Sequence, residues 1–407
     1  MKSIKNLISG FIIFVIVVCL LIFLVENINH KFFLNDFKVY YLAAKALISD
    51  QQVYGVAFSL GSGYYKYSPL ILMFFIPFTF LPYQVAAIIF YVLIVIAIIV
   101  LFTLLRKLLN RDVFEKNAKQ QNLIYSLAFV FVLNQIYREL HLGNTNVILL
   151  VMIFTSLMLT LQSKSMMSGV FFGIAILFKP FFLILILPLL LFRKWKELLS
   201  AMSFIAVFFL LFMVIFGFSF TFDLNHQWIA SMMGHSDAFP AENTLDYIVR
   251  LYTQIKLPGS FQYIIIAMTG LLYLLFALFT YKKIKQRKKP AELNLIFGFM
   301  VLLAVLPNIV KTDTEHFLYA LPLIVFMTYY LVIHKNWWLR IIFIILFLLH
   351  GTNSNDMVGR YLSDKMSYYG ILGISNLMLI AFGIYLIYKQ LQARRPGEID
   401  CLEKDSL

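Results

Sequence analysis

An aspartate, a lysine and a histidine stand out because their surroundings make charge expensive. Asp36 lies in "LNDFKVYYLAAKAL", shortly after the first long apolar run. A carboxylate at a membrane surface is partly desolvated, which tunes its pKa towards the range useful to a general base. Lys179 is the single charge in "GVFFGIAILFKPFFLILILPLLLF". A lone ammonium in such a stretch points to a contact with an anionic group such as a lipid phosphate. His316 sits in "LPNIVKTDTEHFLYALP" with Lys311, Asp313 and Glu315, where the chain turns back into apolar sequence. Plainer uses compete with these. Asp36 also complements a helix dipole, and Lys179 can snorkel to the headgroups.

Three further stretches concentrate polar groups. "RELHLGNTNVILL" supplies Arg138, Glu139, His141, Asn144 and Asn146 ahead of an apolar run. Asn144 or Asn146 also suits a helix cap, and His141 a hydrogen-bonded structural role. "YYKYSPL" offers Tyr64, Tyr65 and Tyr67 as interface anchors, with Pro69 opening the next helix. "HQWIASMMGHSDAFPAENTLDYIVRL" holds His226, Trp228, His235, Asp237, Glu242, Asn243, Asp246 and Arg250. No dense ligand motif such as HExxH occurs, so chemistry without a metal or other cofactor is expected. The two cysteines, Cys19 and Cys401, fit neither a disulfide nor a zinc site.

The elements that must position these groups are membrane helices. Of 407 residues 61% are hydrophobic and only 13% charged, whereas a soluble domain is about one quarter charged. No globular core hides that much apolar surface, so lipid must cover it. The net charge of +14 would suggest nucleic acid in a soluble protein, but here it collects in short loops and sets orientation. Apolar segments are predicted at about 7–25, 69–82, 84–105, 122–138, 145–161, 166–178, 181–192, 197–216, 262–281, 293–310, 317–333, 338–350 and 367–388. The first reads as a retained helix rather than a cleaved signal. Residues 1–390 form one integral membrane domain, and 391–407 a cytoplasmic polar tail.

Lysine and arginine assign the sides. Lys2 and Lys5, the loop from Arg193 to Lys196, the loop from Lys282 to Lys289, Lys335 to Arg340, and the tail with Lys389, Arg394 and Arg395 read as cytoplasmic. The regions 26–67, 217–261, 311–316 and 351–366 then face outside, with Gly143 and the Lys179-Pro180 break near the same side. Thirteen crossings from a cytoplasmic start would put the C-terminus outside, against its charge. One segment between residues 68 and 140 therefore does not cross, and 69–82 is the candidate for a partial or re-entrant helix. Arg106, Lys107, Arg111, Lys116 and Lys119 also argue for a cytoplasmic loop in that window. In the first outer region Asn35 is placed to cap a helix. Phe37, Tyr40, Tyr41, Ala44 and Leu47 recur at spacings of three and four, the pattern of an amphipathic helix lying on the membrane. Ionisable groups on four separated outer regions describe a composite site at the surface, whereas permeation would put charges deep within several helices.

The order of these residues resembles glycosyltransferase family 87. The resemblance begins with Asp36-x-x-Val39-Tyr40 followed by Ala43 and Ala44, then Tyr67-x-Pro69, Pro77 and Leu81-Pro82. It continues through Gly143-Asn144-Thr145-Asn146, Gly169, Gly173, Lys179, Arg193 to Trp195, Asn243-Thr244-Leu245 and Arg250, and closes with His316 before Pro322. Three places depart from the family: its usual Gly-Gln-x-Asn reads Gly143-Asn144-Thr145-Asn146, its Asn-x-Ser-type element reads Asn243-Thr244, and a tryptophan before the late histidine is missing. The resemblance implies an all-α polytopic GT-C membrane fold with about 12 transmembrane helices and amphipathic surface helices in the first outer loop. It implies a polyprenyl-phosphate sugar donor, typically of mannose, a lipid or glycan acceptor, and work at the outer face of the cytoplasmic membrane. Asp36 and His316 match the catalytic positions. Tyr40, Tyr67, His141, Asn144, Asn146, Lys179, Asn243 and Arg250 are the candidate substrate-binding residues. Partners are membrane lipids and these substrates, not nucleic acid. Two other readings stay open: a lipid or solute transporter, and a ligase or polymerase that moves preassembled glycans.

Overall fold

A computed structural model describes residues 9–60, 63–114, 120–235, 242–255, 258 and 261–392. In chain order the helices are α1 (Ser9–Ile28), α2 (Asn35–Ile48), α3 (Leu72–Thr79), α4 (Tyr83–Leu108), α5 (Gln121–Phe131), α6 (Leu133–Leu142), α7 (Asn146–Leu161), α8 (Ser165–Phe178), α9 (Ile186–Leu191) and α10 (Trp195–Phe216). There follow α11 (Phe218–His235), α12 (Leu245–Thr253), α13 (Phe261–Gln286), α14 (Glu292–Ile309), α15 (Leu321–His334), α16 (Trp337–His350), α17 (Asn355–Val358), α18 (Arg360–Tyr368) and α19 (Ile371–Gln392). Tight 3₁₀ turns at Pro69–Ile71, Pro180–Leu185 and Thr314–Ala320 lead into α3, α9 and α15. Among the described residues the one extended pairing is an isolated bridge between Ala57 and Tyr64.

This is the helix set of a multi-pass membrane protein. Among the described residues seven helices are long and apolar enough to cross a bilayer: α1, α4, α10, α13, α14, α15 with its leading turn, and α19. The α5–α6 pair bends by 65° and counts as an eighth if it is one span. Five apolar stretches of 10–17 residues, among them Pro69–Thr79, α7 and α8, fall short of a full crossing. Every apolar segment read from the sequence therefore has a helical counterpart, but length separates complete spans from short ones. Short apolar helices persist where protein covers their backbone, and α7 does this by burying Leu149, Leu150, Ile153, Phe154 and Leu157. The window from 68 to 140, where the charge count required a non-crossing segment, holds both the short Pro69–Thr79 stretch and the bent pair.

Packing follows from side-chain size. α8 is clasped between α7 and α10. A Cβ at Gly169 would lie 2.6 Å from the Glu197 carbonyl oxygen, and one at Gly173 would lie 3.2 Å from that of Ala201. Two glycines four residues apart thus let two backbones touch, the small-residue logic of membrane helix pairs. α14 and α15 are apolar on all faces and almost wholly buried, so they form the centre of the bundle.

Several local expectations change. Asn35 is the first residue of α2, and the cap position belongs to Leu34 in a left-handed conformation (φ 42°). The Asn35 side chain instead accepts a hydrogen bond from Ser59 Oγ. The apolar face of α2 does not rest on lipid. Phe37, Tyr40, Tyr41, Ala44 and Leu47 are all buried by protein, chiefly against α3 and α4. Tyr65 is fully buried, donating to the Ser68 carbonyl at 2.9 Å, and is no interface anchor. Neither Asn144 nor Asn146 caps α7; the Glu139 carboxylate accepts from the Val147 amide at 2.8 Å and does that work. Within the outer region 217–261 the described residues include the helices α11 and α12. Lys2, Lys5, Lys116, Lys119, Asp237, Arg394, Arg395 and Cys401 lie outside the described residues.

Candidate active site

The site begins with a docking of two helix ends. α6 terminates at Gly143 with φ 66°, a left-handed conformation suited to glycine at a helix C-cap. A Cβ at Gly143 would stand 2.9 Å from the Cβ atoms of both Leu34 and Phe37, so only glycine lets α2 enter here. Leu34 itself takes the left-handed turn that roughly 1–2 kcal/mol opposes in a non-glycine residue, and its buried side chain offsets this. The close approach brings Asn144 to Asp36. Asn144 Nδ2 donates to Asp36 Oδ2 at 2.7 Å, while Asn144 Oδ1 accepts from the Thr145 amide at 2.7 Å. The backbone bond fixes the amide orientation, leaving its NH₂ for the carboxylate.

Asp36 lines a cavity of about 400 Å³ where α2, residues 63–67, the α6–α7 turn, the break after α8 and residues 310–316 meet. Burial raises its pKa, and repulsion from Glu315 adds to this; Lys179 pulls the other way, and Asp313 and Glu139 push up again, leaving it at about 7. Such a carboxylate is poised to accept a proton near neutral pH. Tyr40, one turn along α2, donates to the Tyr67 hydroxyl at 3.2 Å. Burial lifts both phenols above their ordinary range, so they stay protonated.

Lys179 marks the break between α8 and Pro180, where the backbone is extended. It does not snorkel: only 3% of it is exposed. Its Nζ donates to Asn146 Oδ1 at 2.5 Å and meets His316 Nε2 at 2.9 Å. An ammonium can only donate, so Nε2 accepts and Nδ1 carries the proton, facing the Asp313 carbonyl at 3.3 Å. Behind them Asn146 Nδ2 donates to Glu139 Oε2 at 2.9 Å, and the Tyr319 hydroxyl donates to Asn146 Oδ1 at 2.6 Å. Arg138 Nε pairs with Glu315 Oε2 at 3.3 Å. The lining therefore holds three cations, Lys66, Lys179 and Lys311, and three carboxyls, Asp36, Asp313 and Glu315. Phe178, Phe181, Trp228 and Met232 supply an apolar wall, and Trp228 is fixed by donating to the Lys66 carbonyl at 3.0 Å.

The residues singled out in the sequence divide. Asp36, Tyr40, Tyr67, Asn144, Lys179 and His316 all line this cavity. Asn146 is fully buried one layer beneath it. His141 lies elsewhere, its Nδ1 2.9 Å from Glu26 Oε2 and its ring stacked on Tyr137. Asn243 belongs to the α14–α19 contact: its Oδ1 accepts from the Gly373 amide at 3.1 Å. Arg250 pairs with Asp246 on its own helix at 2.9 Å. Neither Asn243 nor Arg250 lines the cavity.

Sequence reasoning undervalued Glu139, Lys66, Lys311, Asp313 and Glu315. Asp313 and Glu315 shortly precede His316 and were visible as a cluster. Glu139 had only its place before an apolar run as a signal, because its partners Asn146 and Val147 become informative once α6 and α7 are folded together. Among the described residues no group of three or more His, Cys, Asp or Glu side chains is placed to hold a metal ion. What the arrangement can do is accept a proton from a hydroxyl at Asp36 while holding an anion near Lys179. Compared with known families, residues 65–307 match glycosyltransferase family 87. That match starts after Asp36 and ends before His316. A search of curated proteins returned no match.

Proposed function

The chain belongs to glycosyltransferase family 87, and from that premise we propose that it transfers a hexose, mannose or a relative, from a polyprenyl-phosphate donor to a hydroxyl of a lipid or glycan acceptor. A family of glycosyltransferases favours sugar transfer over transport. The observation that carries the finer reading is the Asn144-held carboxylate of Asp36, which shares one cavity with Lys179 and an apolar aromatic wall. The cavity's mixed lining suits a sugar phosphate whose tail lies in lipid. It sits where the charge pattern expects the outer face.

In this reading the acceptor hydroxyl lies against Asp36. Its proton moves to the carboxylate as the oxygen attacks the anomeric carbon from the face opposite the phosphate. The bond from that carbon to the phosphate oxygen breaks, and the configuration inverts. Polyprenyl phosphate leaves with the electron pair. Lys179 has three N–H donors, two of them engaged by Asn146 and His316. The third is available for the phosphate charge that develops as the bond breaks. His316 serves as a positioning residue here, since its free nitrogen lone pair is taken by Lys179. Lys66 and Lys311 add positive potential at the rim.

The test is transfer by Asp36→Asn in membranes supplied with a polyprenyl-phosphate sugar. A correctly inserted variant should lose roughly 10²–10⁴-fold in rate, the span associated with general base catalysis. Near-normal transfer would remove Asp36 from the mechanism.

A further inference from the structure

A second cavity, of about 620 Å³, lies between α5, α15 and α16. Leu127, Phe131, Leu331 and Phe347 represent its apolar wall. Its charged and amide side chains gather at one end: Gln120 just before α5, Lys335 just after α15, and Arg340 in the first turn of α16; Thr328 lies deeper on α15, its hydroxyl donating to the Ile324 carbonyl at 2.8 Å. No acidic side chain among the described residues lines it. Arg340 Nε donates to the Leu331 carbonyl at 3.1 Å and Nη2 reaches the Val332 carbonyl at 3.5 Å. These bonds hold the guanidinium at the mouth of the groove and leave it further N–H donors. Lys335 is exposed beside it, and Trp337 and Trp338 stand exposed at the same level, as interfacial tryptophans do.

Helix geometry sets the depth. From Gln120 to Phe131 on α5, and from Arg340 to Phe347 on α16, a rise of about 1.5 Å per residue gives roughly 10–17 Å. That is about half of the roughly 30 Å hydrocarbon core, the depth of one leaflet. The basic mouth is also at the opposite end of the bundle from the Asp36 cavity. The path from His316 through the rest of its 3₁₀ turn and α15 to Lys335 covers roughly 30 Å, about one full core.

We propose that this groove binds an anionic glycerophospholipid of the leaflet opposite the catalytic cavity. One acyl chain lies against Leu127, Phe131 and Phe347, and the phosphate sits between Lys335 and Arg340. Two cations with no acidic counterpart among the described lining residues favour a net negative headgroup over a zwitterionic one, which brings its own ammonium. An apolar helix from a second copy of the chain would cover the wall but leave both cations unmatched. The site is independent of the catalytic reading.

The full chain, purified in mild detergent and delipidated, is titrated with phosphatidylglycerol and with phosphatidylcholine, and lipid binding is read by native mass spectrometry. Phosphatidylglycerol should bind at least about tenfold more tightly, the ratio that about 1.4 kcal/mol of charge attraction produces. Lys335→Gln, an exposed change, should reduce that preference several-fold. Leu127→Trp, which fills the wall without touching either cation, should reduce binding of phosphatidylglycerol. Equal affinity for the two lipids would overturn the proposal. So would unchanged phosphatidylglycerol binding by Leu127→Trp, or a dimer of the wild type that this variant disrupts.

Discussion

Two of the buried polar clusters in this bundle differ in kind. Around Lys179 the groups are ionisable: Glu139, His316, Glu315 and Asp36 surround one ammonium. Around Asn308 they are neutral amides. Asn308 Nδ2 donates to the Gly373 carbonyl at 3.0 Å and to the Asn243 carbonyl at 3.2 Å, while Asn376 Nδ2 donates to Asn308 Oδ1 at 2.7 Å and to the Ala304 carbonyl at 2.8 Å. The amide cluster ties α14 to α19 and to the start of α12, and it lies outside the cavity that Asp36 lines. Amides satisfy one another without the desolvation penalty of charge. A fold that needs only to be held together has no reason to bury ions. A cluster that does bury them, beside a cavity, is where chemistry is expected.

The sharpest way to break this comparison is Asp36→Asn. Transfer should fall by the largest factor of any single change, while the protein grows more stable at pH 8. The sign follows from linkage. The folded Asp36 keeps its proton up to about 7, whereas an ordinary aspartate releases it near 3.8. Between those values the folded state holds more protons, so this group's contribution to stability declines as pH rises. Removing the ionisable group should raise the thermal midpoint above pH 7 and leave it little changed below pH 4. A fall in the midpoint at pH 8 would contradict the burial argument.

Lys179→Met keeps most of the side chain's length and removes the charge. Loss of one preorganised donor predicts a drop of roughly 10²-fold in kcat, measured in reconstituted membranes. If the lysine serves only to neutralise Glu139 and Glu315, loss of folded protein will replace loss of rate. The pH profile comes next. With Asp36 as base, kcat/KM should rise through about 7 and then level, falling about tenfold per unit on the acid side. A flat profile between pH 5.5 and 8 would dissociate the carboxylate from the rate.

His316→Gln is smaller still. If the imidazole only presents an acceptor to Lys179, a glutamine oxygen substitutes for it and transfer stays within roughly tenfold of wild type. A loss as large as that of Asp36→Asn would instead make His316 a proton carrier. Asn308→Ala should do the reverse of all these. Removing the side-chain donor to the Gly373 and Asn243 carbonyls, and one of the two acceptors of Asn376 Nδ2, predicts about 1–3 kcal/mol of lost stability. Activity per folded molecule, counted by fluorescence-detected size exclusion, should remain near wild type.

The legibility of this chain depends on range. Helix positions were readable because apolar runs are local, and all thirteen found a helical counterpart in the structure. Lys179 was readable because a charge among two dozen apolar residues is conspicuous without any knowledge of its partners. Gly143, Gly169 and Gly173 were readable as motif positions, but their reason was not: each permits a contact with a residue on another helix. Asn243 shows the converse. It had the spacing of a site residue, yet its side chain is committed to α19.

By itself the sequence determined the membrane setting, the helix order, the break at Pro180 and the family. These depend on composition and near neighbours. Tertiary structure alone decided that Asn144 would hold Asp36, that Glu139 would stand behind Asn146 and Lys179, and that the apolar face of α2 would pack on protein and not on lipid. The partners in those contacts are as much as 108 residues apart, and a pKa of about 7 at Asp36 exists only when the fold buries its carboxyl and brings Glu315, which raises it, and Lys179, which lowers it, alongside. Desolvation and Coulomb interaction depend on distance in space, which one-dimensional spacing does not carry.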